Sequence, residues 1–395
     1  MIDIRCMGVK VLNRCTRGKI KVRKEQITLK KIVQNISLKA LFLIGTILIS
    51  VLVILGLALC QRQMRKELVD QQMAERWSDK KDAAQISVFY QNQEVDNAYY
   101  FRGIEEKINQ ALTTASISLT TENEGARLWM DAVSRSGKLE VSSELGKTEL
   151  NAFGVMGDFF QFHPIRMVSG TYFSDLSMMK DTVIIDKETA WQLFGSFDIT
   201  GMEVKIGDIP HVVVGVFERP KGRMEEAAGL DKPLCYLSIE SLEKYGSSLG
   251  GYTYEIVLPN PIKKFGISTV TTAVTADKKG VAVVENSSRY EILPLLFVAK
   301  SFGIRSMSKE GIIYPYWENI ARGYEDIMAV LLLAELLLLF LLAVIFAGFI
   351  IYYYRRKTWS IEQGILWLKE KNYEMGTKRR RKKEEEREKS KNEEK

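Results

Sequence analysis

The sequence predicts a membrane protein in which two transmembrane α-helices flank an α+β extracytoplasmic domain. Three observations carry this reading. Residues 40–60 contain no Asp, Glu, Lys or Arg, and residues 328–354 contain one charged residue, Glu335. Lys and Arg collect beside these two runs. The 267 residues between them alternate strand-like and helix-like patterns.

A bilayer core is about 30 Å thick and a helix rises about 1.5 Å per residue. Residues 40–60 therefore reach roughly 31 Å, and residues 328–354 roughly 40 Å, which implies tilt or a helix that runs into the headgroups. Residues 1–39 carry 11 Lys/Arg against 2 Asp/Glu, and residues 355–395 carry 15 against 9, whereas residues 61–327 carry 30 against 37. The overall charge of +7 thus sits beside the apolar runs, which favours membrane topology and lipid contact over nucleic acid. Lys30, Lys31 and Lys39 precede the first run, and Arg355, Arg356 and Lys357 follow the second. By the positive-inside rule both termini are cytoplasmic and the middle lies outside. The run Tyr352-Tyr353-Tyr354 suits an interfacial aromatic belt. The first run begins too late and is too long for a cleaved signal, so it reads as an uncleaved anchor.

The domain plan is accordingly a basic cytoplasmic N-terminus (1–39), a first span (40–60), an extracytoplasmic stalk and core (61–327), and a second span (328–354). A juxtamembrane helix (355–376) and a charged tail (377–395) complete it. Residues 61–81 are polar and helix-favouring and read either as an outward continuation of the first span or as a solvated linker. Residues 85–90 alternate like a strand, with Ile86, Val88 and Tyr90 on one face. Residues 98–112 predict an amphipathic helix, because Ile104, Ile108 and Leu112 recur every fourth position. Short strands are expected at 139–141 and 149–155. A strand at 182–186 precedes a helix at 187–194 that stops at Gly195. Residues 203–206 and 211–217 predict a hairpin turning at Gly207-Asp208. Further strands are expected at 234–239, 252–258 and 281–285, with a helix over 262–275.

Chemistry-bearing motifs are scarce. No G-x-x-x-x-G-K-[ST], H-E-x-x-H or G-x-G-x-x-G occurs. Gly246-Ser247-Ser248-Leu249-Gly250 fits G-x-S-x-G, but a helical stretch precedes it, a strand follows it, and no histidine lies beyond His211. It reads as a plain loop. His163 and His211 stand far apart and read as satisfied structural histidines, and Cys235 as a small buried hydrophobe. No catalytic, cofactor or metal residue is assigned. Glu335 is the exception within the apolar runs. An intramembrane carboxylate is costly and marks function by default. It either bonds within a helix interface, pairs with a basic residue of another subunit, or snorkels outward.

A family resemblance rests on one stretch. Val168-Ser169-Gly170-Thr171-Tyr172-Phe173 leads to Asp181-Thr182-Val183-Ile184-Ile185-Asp186, then to Ala190-Trp191-Gln192-Leu193-Phe194-Gly195. Thr200-Gly201 and Val212-Val213-Val214-Gly215-Val216 follow. In order and spacing this resembles the MacB-like periplasmic core domain of ABC transporter permeases. Tyr314-Pro315-Tyr316-Trp317-Glu318-Asn319 resembles that family's approach to its second span, and Glu362-Gln363-Gly364-Ile365-Leu366 resembles its cytoplasmic coupling segment. The resemblance covers roughly residues 30–370 and omits the third and fourth spans of such permeases.

It implies a membrane subunit of an ABC-type complex, not itself an enzyme, that transmits ATPase-driven motion to an outer domain for mechanotransmission or export. ATP is then expected on a separate cytoplasmic ABC ATPase subunit, contacted by Glu362, Gly364, Ile365 and Leu366. A second permease subunit or a homodimer is expected as a further partner. From its physics alone the 355–376 helix could equally lie flat in the headgroups. A non-transport adaptor or sensor, and a membrane-anchored enzyme, stand as alternatives.

Overall fold

The computed structural model describes residues 38–380, apart from 81, 93, 120–125, 175–177, 276–279, 303, 309, 357–364, 367 and 379. Two of its helices are long and apolar enough to cross a membrane, α1 (Leu38–Glu67) and a terminal 41-residue helix, Tyr316–Arg356. The chain divides into two compact units, and the fold below belongs to Ile54–Glu335. The other holds the remaining parts of the two long helices and, further on, helical residues 368–378.

α1 does not continue outward as one rod. It ends at Glu67, a single tight turn follows at Val69–Gln71, and α2 (Met73–Trp77) comes next. Leu68, Met73 and Ala74 are buried in the core, so burial of these three side chains folds the stalk onto the domain.

Ten strands among the described residues join in one mixed sheet. β1 (Ala83–Tyr90), β2 (Met130–Ser143), β9 (Tyr252–Pro259) and β10 (Val281–Glu285) pair antiparallel in the order β10-β1-β9-β2. Helix α3 (Tyr100–Thr114) lies between β1 and β2 in the chain. A second connecting helix (Phe265–Thr275) lies between β9 and β10. This is a split βαβ arrangement interrupted by a long insertion. One face packs on these helices through Ile86, Val88, Tyr254, Ile256, Ile104, Ile108 and Val270. The predicted four-residue spacing therefore does bury α3. β1 contains the strand expected at 85–90, and all eight of its residues are buried, because its other face is also covered.

The insertion curls into a closed ring. β2 pairs in sequence with β3 (Gly146–Gly157), β8 (Leu234–Ser238), β5 (Thr182–Asp186), β7 (Ile209–Glu218) and β6 (Glu203–Ile206), and β6 returns to β2. β4 (Arg166–Gly170) adds to β7 at one edge. Leu139, Val141, Leu150, Val183, Ile185, Val204, Ile206 and Leu237 fill the interior. The expected short strands at 139–141 and 149–155 are parts of one long hairpin, which lets β2 leave the first sheet and enter the ring. Polar residues on the hairpin's solvent face masked its length.

Local signals behave as expected elsewhere. Asp186 caps α5 (Lys187–Phe194) by accepting from Thr189 N at 3.0 Å, and Gly195 ends it in the left-handed region at φ 68°. The β6–β7 turn has φ of 56° at Gly207 and 66° at Asp208, as a type I′ turn requires. Gly170 has φ 76°, and a Cβ there would lie 2.2 Å from the Val214 carbonyl oxygen. The stretch that carried the family resemblance is thus scaffold, in β4, β5, α5 and β7.

One buried carboxylate in this fold yields a testable pH effect. Burial, reinforced by the nearby Glu105 charge, pushes Asp131 on β2 up to about 7. An acid raised in the folded state favours folding below its unfolded value near 3.8 and loses that advantage as pH climbs through about 7. Asp131→Asn should therefore raise the melting temperature at pH 8 and change it little at pH 4, measured by thermal unfolding at both values.

Candidate transmission junction

The second face of the split βαβ sheet, away from α3, meets the start of the terminal long helix, α10 (Tyr316–Arg356), across a buried polar network. The intervening short helices are α4 (Phe159–Phe162), α6 (Arg223–Ala227), α7 (Ile239–Tyr245), α8 (the Phe265–Thr275 helix) and α9 (Ile292–Val298). In β1 the helix-facing residues alternate with Gln85, Ser87 and Phe89, and in β9 with Thr253, Glu255 and Val257. A strand's period of two sends these second sets to the junction.

Arg289, in the loop after β10, is the hub. Its Nη1 and Nη2 donate to the two Glu318 carboxylate oxygens at 2.8 and 3.1 Å, a bidentate fork, and its Nε donates to Glu325 at 2.7 Å. Nη1 also donates to Gln71 Oε1 at 2.9 Å and Asn286 Oδ1 at 3.1 Å. Arg322 donates to Glu318 at 2.6 Å, and Arg305 pairs with Glu325 at 2.7 Å. Arg289, Glu318 and Glu325 are all buried. Glu318, Arg322 and Glu325 lie four and three residues apart, so one face of α10 carries all three.

The network continues into the sheet. Asn286 Nδ2 donates to Ser87 Oγ at 2.8 Å, and Ser87 Oγ donates to Glu255 at 2.6 Å. Glu255 bonds to His163 Nε2, and His163 Nδ1 lies 3.1 Å from Asp70, just past α1. His163 is fully buried and its ring centroid stands 4.1 Å from that of Trp317. Burial alone would lower its pKa, but the Glu255 charge and hydrogen bonds to Asp70 and Glu255 outweigh it and hold the imidazole at about 9. His163 is therefore a buried cation at neutral pH. Phe153 and Phe159 flank Trp317, and the Tyr236 and Tyr316 hydroxyls meet at 2.8 Å.

Among the described residues no group of three or more His, Cys, Asp or Glu could hold a metal ion. What the network offers is rigidity: charges this deeply buried cost several kcal/mol each unless every partner stays in place, so the segment after α1, the sheet and the head of α10 are held in one arrangement.

The predicted site residues fall as follows. Glu335 accepts from Gln61 Nε2 at 3.0 Å, a bond between α10 and α1. Ile365 and Leu366 are helical and exposed, whereas Glu362 and Gly364 lie outside the described residues. His211 is buried with Nδ1 3.1 Å from the Ile209 carbonyl. Cys235 is fully buried, which pushes its thiol up. Residues 246–250 form a loop between α7 and β9. The junction itself was missed. Its members are scattered from Asp70 to Glu325, and no spacing links them. Two signals were present: Glu255 interrupts an apolar strand, and three charges line one helical face just ahead of the second apolar run.

The family described as MacB-like periplasmic core domain matches residues 43–280. The macrolide export ATP-binding/permease protein MacB of Pasteurella multocida (strain Pm70) is 35% identical over 77 residues, 19% of this chain. The match spans only 12% of that relative's length. Similar solved structures include the extracellular domain of the noncanonic ABC-type transporter YknZ from Gram-positive bacteria. It is 18% identical with a TM-score of 0.34, covering 51% of this chain and 99% of that one. The periplasmic region of MacB from Actinobacillus actinomycetemcomitans is 13% identical with a TM-score of 0.35, covering 52% and 89%. Because the family's own pattern extends over more than half of its residues, this chain belongs to the MacB-like periplasmic core domain family.

Proposed function

We propose that the chain is a two-span membrane subunit of an ABC-type complex, transmitting motion from a cytoplasmic ATPase to its outer domain. One observation carries the proposal. The head of α10, which continues into an apolar run, is tied to the sheet by the Arg289–Glu318–Glu325 cluster. A displacement of α10 along or about its axis is passed to the domain rather than absorbed by a loose linker. The Gln61–Glu335 bond ties α1 to the same helix and adds a second point of attachment. In this reading both termini are cytoplasmic and the domain is extracytoplasmic. The work is mechanical, on an extracytoplasmic substrate or partner, and a second permease subunit or a second copy of this chain completes the assembly.

Glu362, Gly364, Ile365 and Leu366 would contact the ATPase. Ile365 and Leu366 are exposed aliphatic side chains, as an amphipathic helix needs for anchoring in a groove. Co-purification of the full chain with a co-expressed cytoplasmic ABC ATPase subunit tests this. Ile365→Asp combined with Leu366→Asp should abolish recovery of the ATPase. Recovery unchanged by the pair would count against the docking assignment.

A further inference from the structure

A second site lies where α1 meets the domain, in a cavity of about 640 Å³. Its lining is ordered by chemistry along α1. Ala58 and, from α10, Met328 form an apolar end. One to two turns further on come Arg62, Arg65 and Lys66. Beyond the end of α1, Glu75 of α2 and Asp79 add carboxylates. Arg62, Lys66 and Asp79 have no ion-pair partner among the described residues, and Arg65 reaches Glu75 only at 3.9 Å.

Buried groups point the same way. Gln71 lines this cavity and is 5% exposed. Arg289 can only donate, so the oxygen of the Gln71 amide is fixed on Arg289 Nη1 and its Nε2 is left as a donor. Among the described residues that Nε2 has no hydrogen-bond partner, and neither has the buried hydroxyl of Tyr290, another lining residue. The Arg65 guanidinium stands over the Tyr290 ring at 5.8 Å. A buried polar group without a partner is costly and signals a missing one. Donors and cations together call for an oxyanion rich in acceptors. The neighbouring carboxylates call for a positive N–H group a short distance from it. The apolar end calls for hydrocarbon.

We infer that this cavity binds the headgroup of a zwitterionic phospholipid, its phosphate at Arg62, Arg65, Lys66 and Gln71 and its primary ammonium at Glu75 and Asp79. The glycerol end then faces Ala58 and Met328. The site requires α1 to cross the bilayer but is independent of any ATPase. A primary ammonium donates N–H to both carboxylates, which a trimethylated one cannot. A purely anionic headgroup would leave those carboxylates unmatched and repelled.

The test uses the full chain taken from nanodiscs of mixed phosphatidylethanolamine, phosphatidylglycerol and phosphatidylcholine, with bound lipid identified by native mass spectrometry. Phosphatidylethanolamine should be enriched several-fold over its share of the bilayer. Arg62→Ser with Lys66→Ser, both exposed, should lower total bound lipid several-fold without altering the melting temperature. Glu75→Gln with Asp79→Asn should keep lipid bound but turn the preference to phosphatidylglycerol. Millimolar inorganic phosphate should not displace the lipid. Bound lipid of bulk composition, indifference to both pairs of substitutions, or displacement by inorganic phosphate would each overturn the assignment, the last transferring the site to free phosphate.

Discussion

Arg289→Met should destabilise the outer domain by about 3–5 kcal/mol, the range for removing one member of a buried ion pair. The guanidinium touches Glu318, Glu325, Gln71 and Asn286 together. Its loss leaves two carboxylates in a site from which water is excluded, with only Arg322 and Arg305 at their far sides. Arg289→Lys should recover little of the loss, because a point charge cannot fork onto Glu318 while also reaching Glu325. Adding Glu318→Gln and Glu325→Gln to Arg289→Met should restore much of it, since the damage is an unpaired charge and not a missing contact. Thermal unfolding of the three variants against the parent chain separates these cases. Near-equal melting temperatures throughout would mean that the cluster is not a clamp.

His163 supplies the second large effect. Its folded pKa of about 9 lies above the ordinary value of 6.5. A base raised in the folded state contributes stability that is complete below the unfolded value and is lost as pH rises through the folded one. The window is therefore about pH 6.5 to 9, and a shift of this size corresponds to about 3 kcal/mol. Stability should fall across that window and level off above it. His163→Phe keeps a ring beside Trp317 but leaves Glu255 and Asp70 without their cation. That variant should be weaker at pH 7 and, once Asp131 has ionised, should lose far less than the parent between pH 8 and 10. A slope in that interval equal to the parent's would assign the titration to another group.

Much of the scaffold could be read without coordinates, for reasons that differ from the junction's. α3, α5 and the Gly207-Asp208 hairpin announce themselves through local pattern: apolar side chains every fourth residue, a cap with a stop glycine, and a turn whose backbone angles suit glycine and aspartate. The two apolar runs are equally local. β1 was legible as a strand, but the burial of Gln85 and Ser87 was not, because both bond to groups brought from elsewhere in the chain. The stalk deceived because helix propensity at residues 61–81 favoured a straight extension, and the burial of Leu68 and Met73 overrode it. Arg62, Arg65 and Lys66 follow the first apolar run closely, but the cavity they line is completed by residues as distant as Tyr290 and Met328. The junction depends on eleven side chains converging from seven segments, and no residue spacing encodes that. Arg289 in particular sits in an unremarkable loop sequence, Asn286-Ser287-Ser288-Arg289-Tyr290.

The head of α10 and the outer sheet should behave as one body. Hydrogen–deuterium exchange of the full chain in nanodiscs measures this amide by amide. Residues 319–325 should exchange as slowly as β9 at residues 253–257, and Arg289→Met should accelerate both together. Rapid exchange at 319–325 beside a fully protected β9 in the parent chain would contradict it.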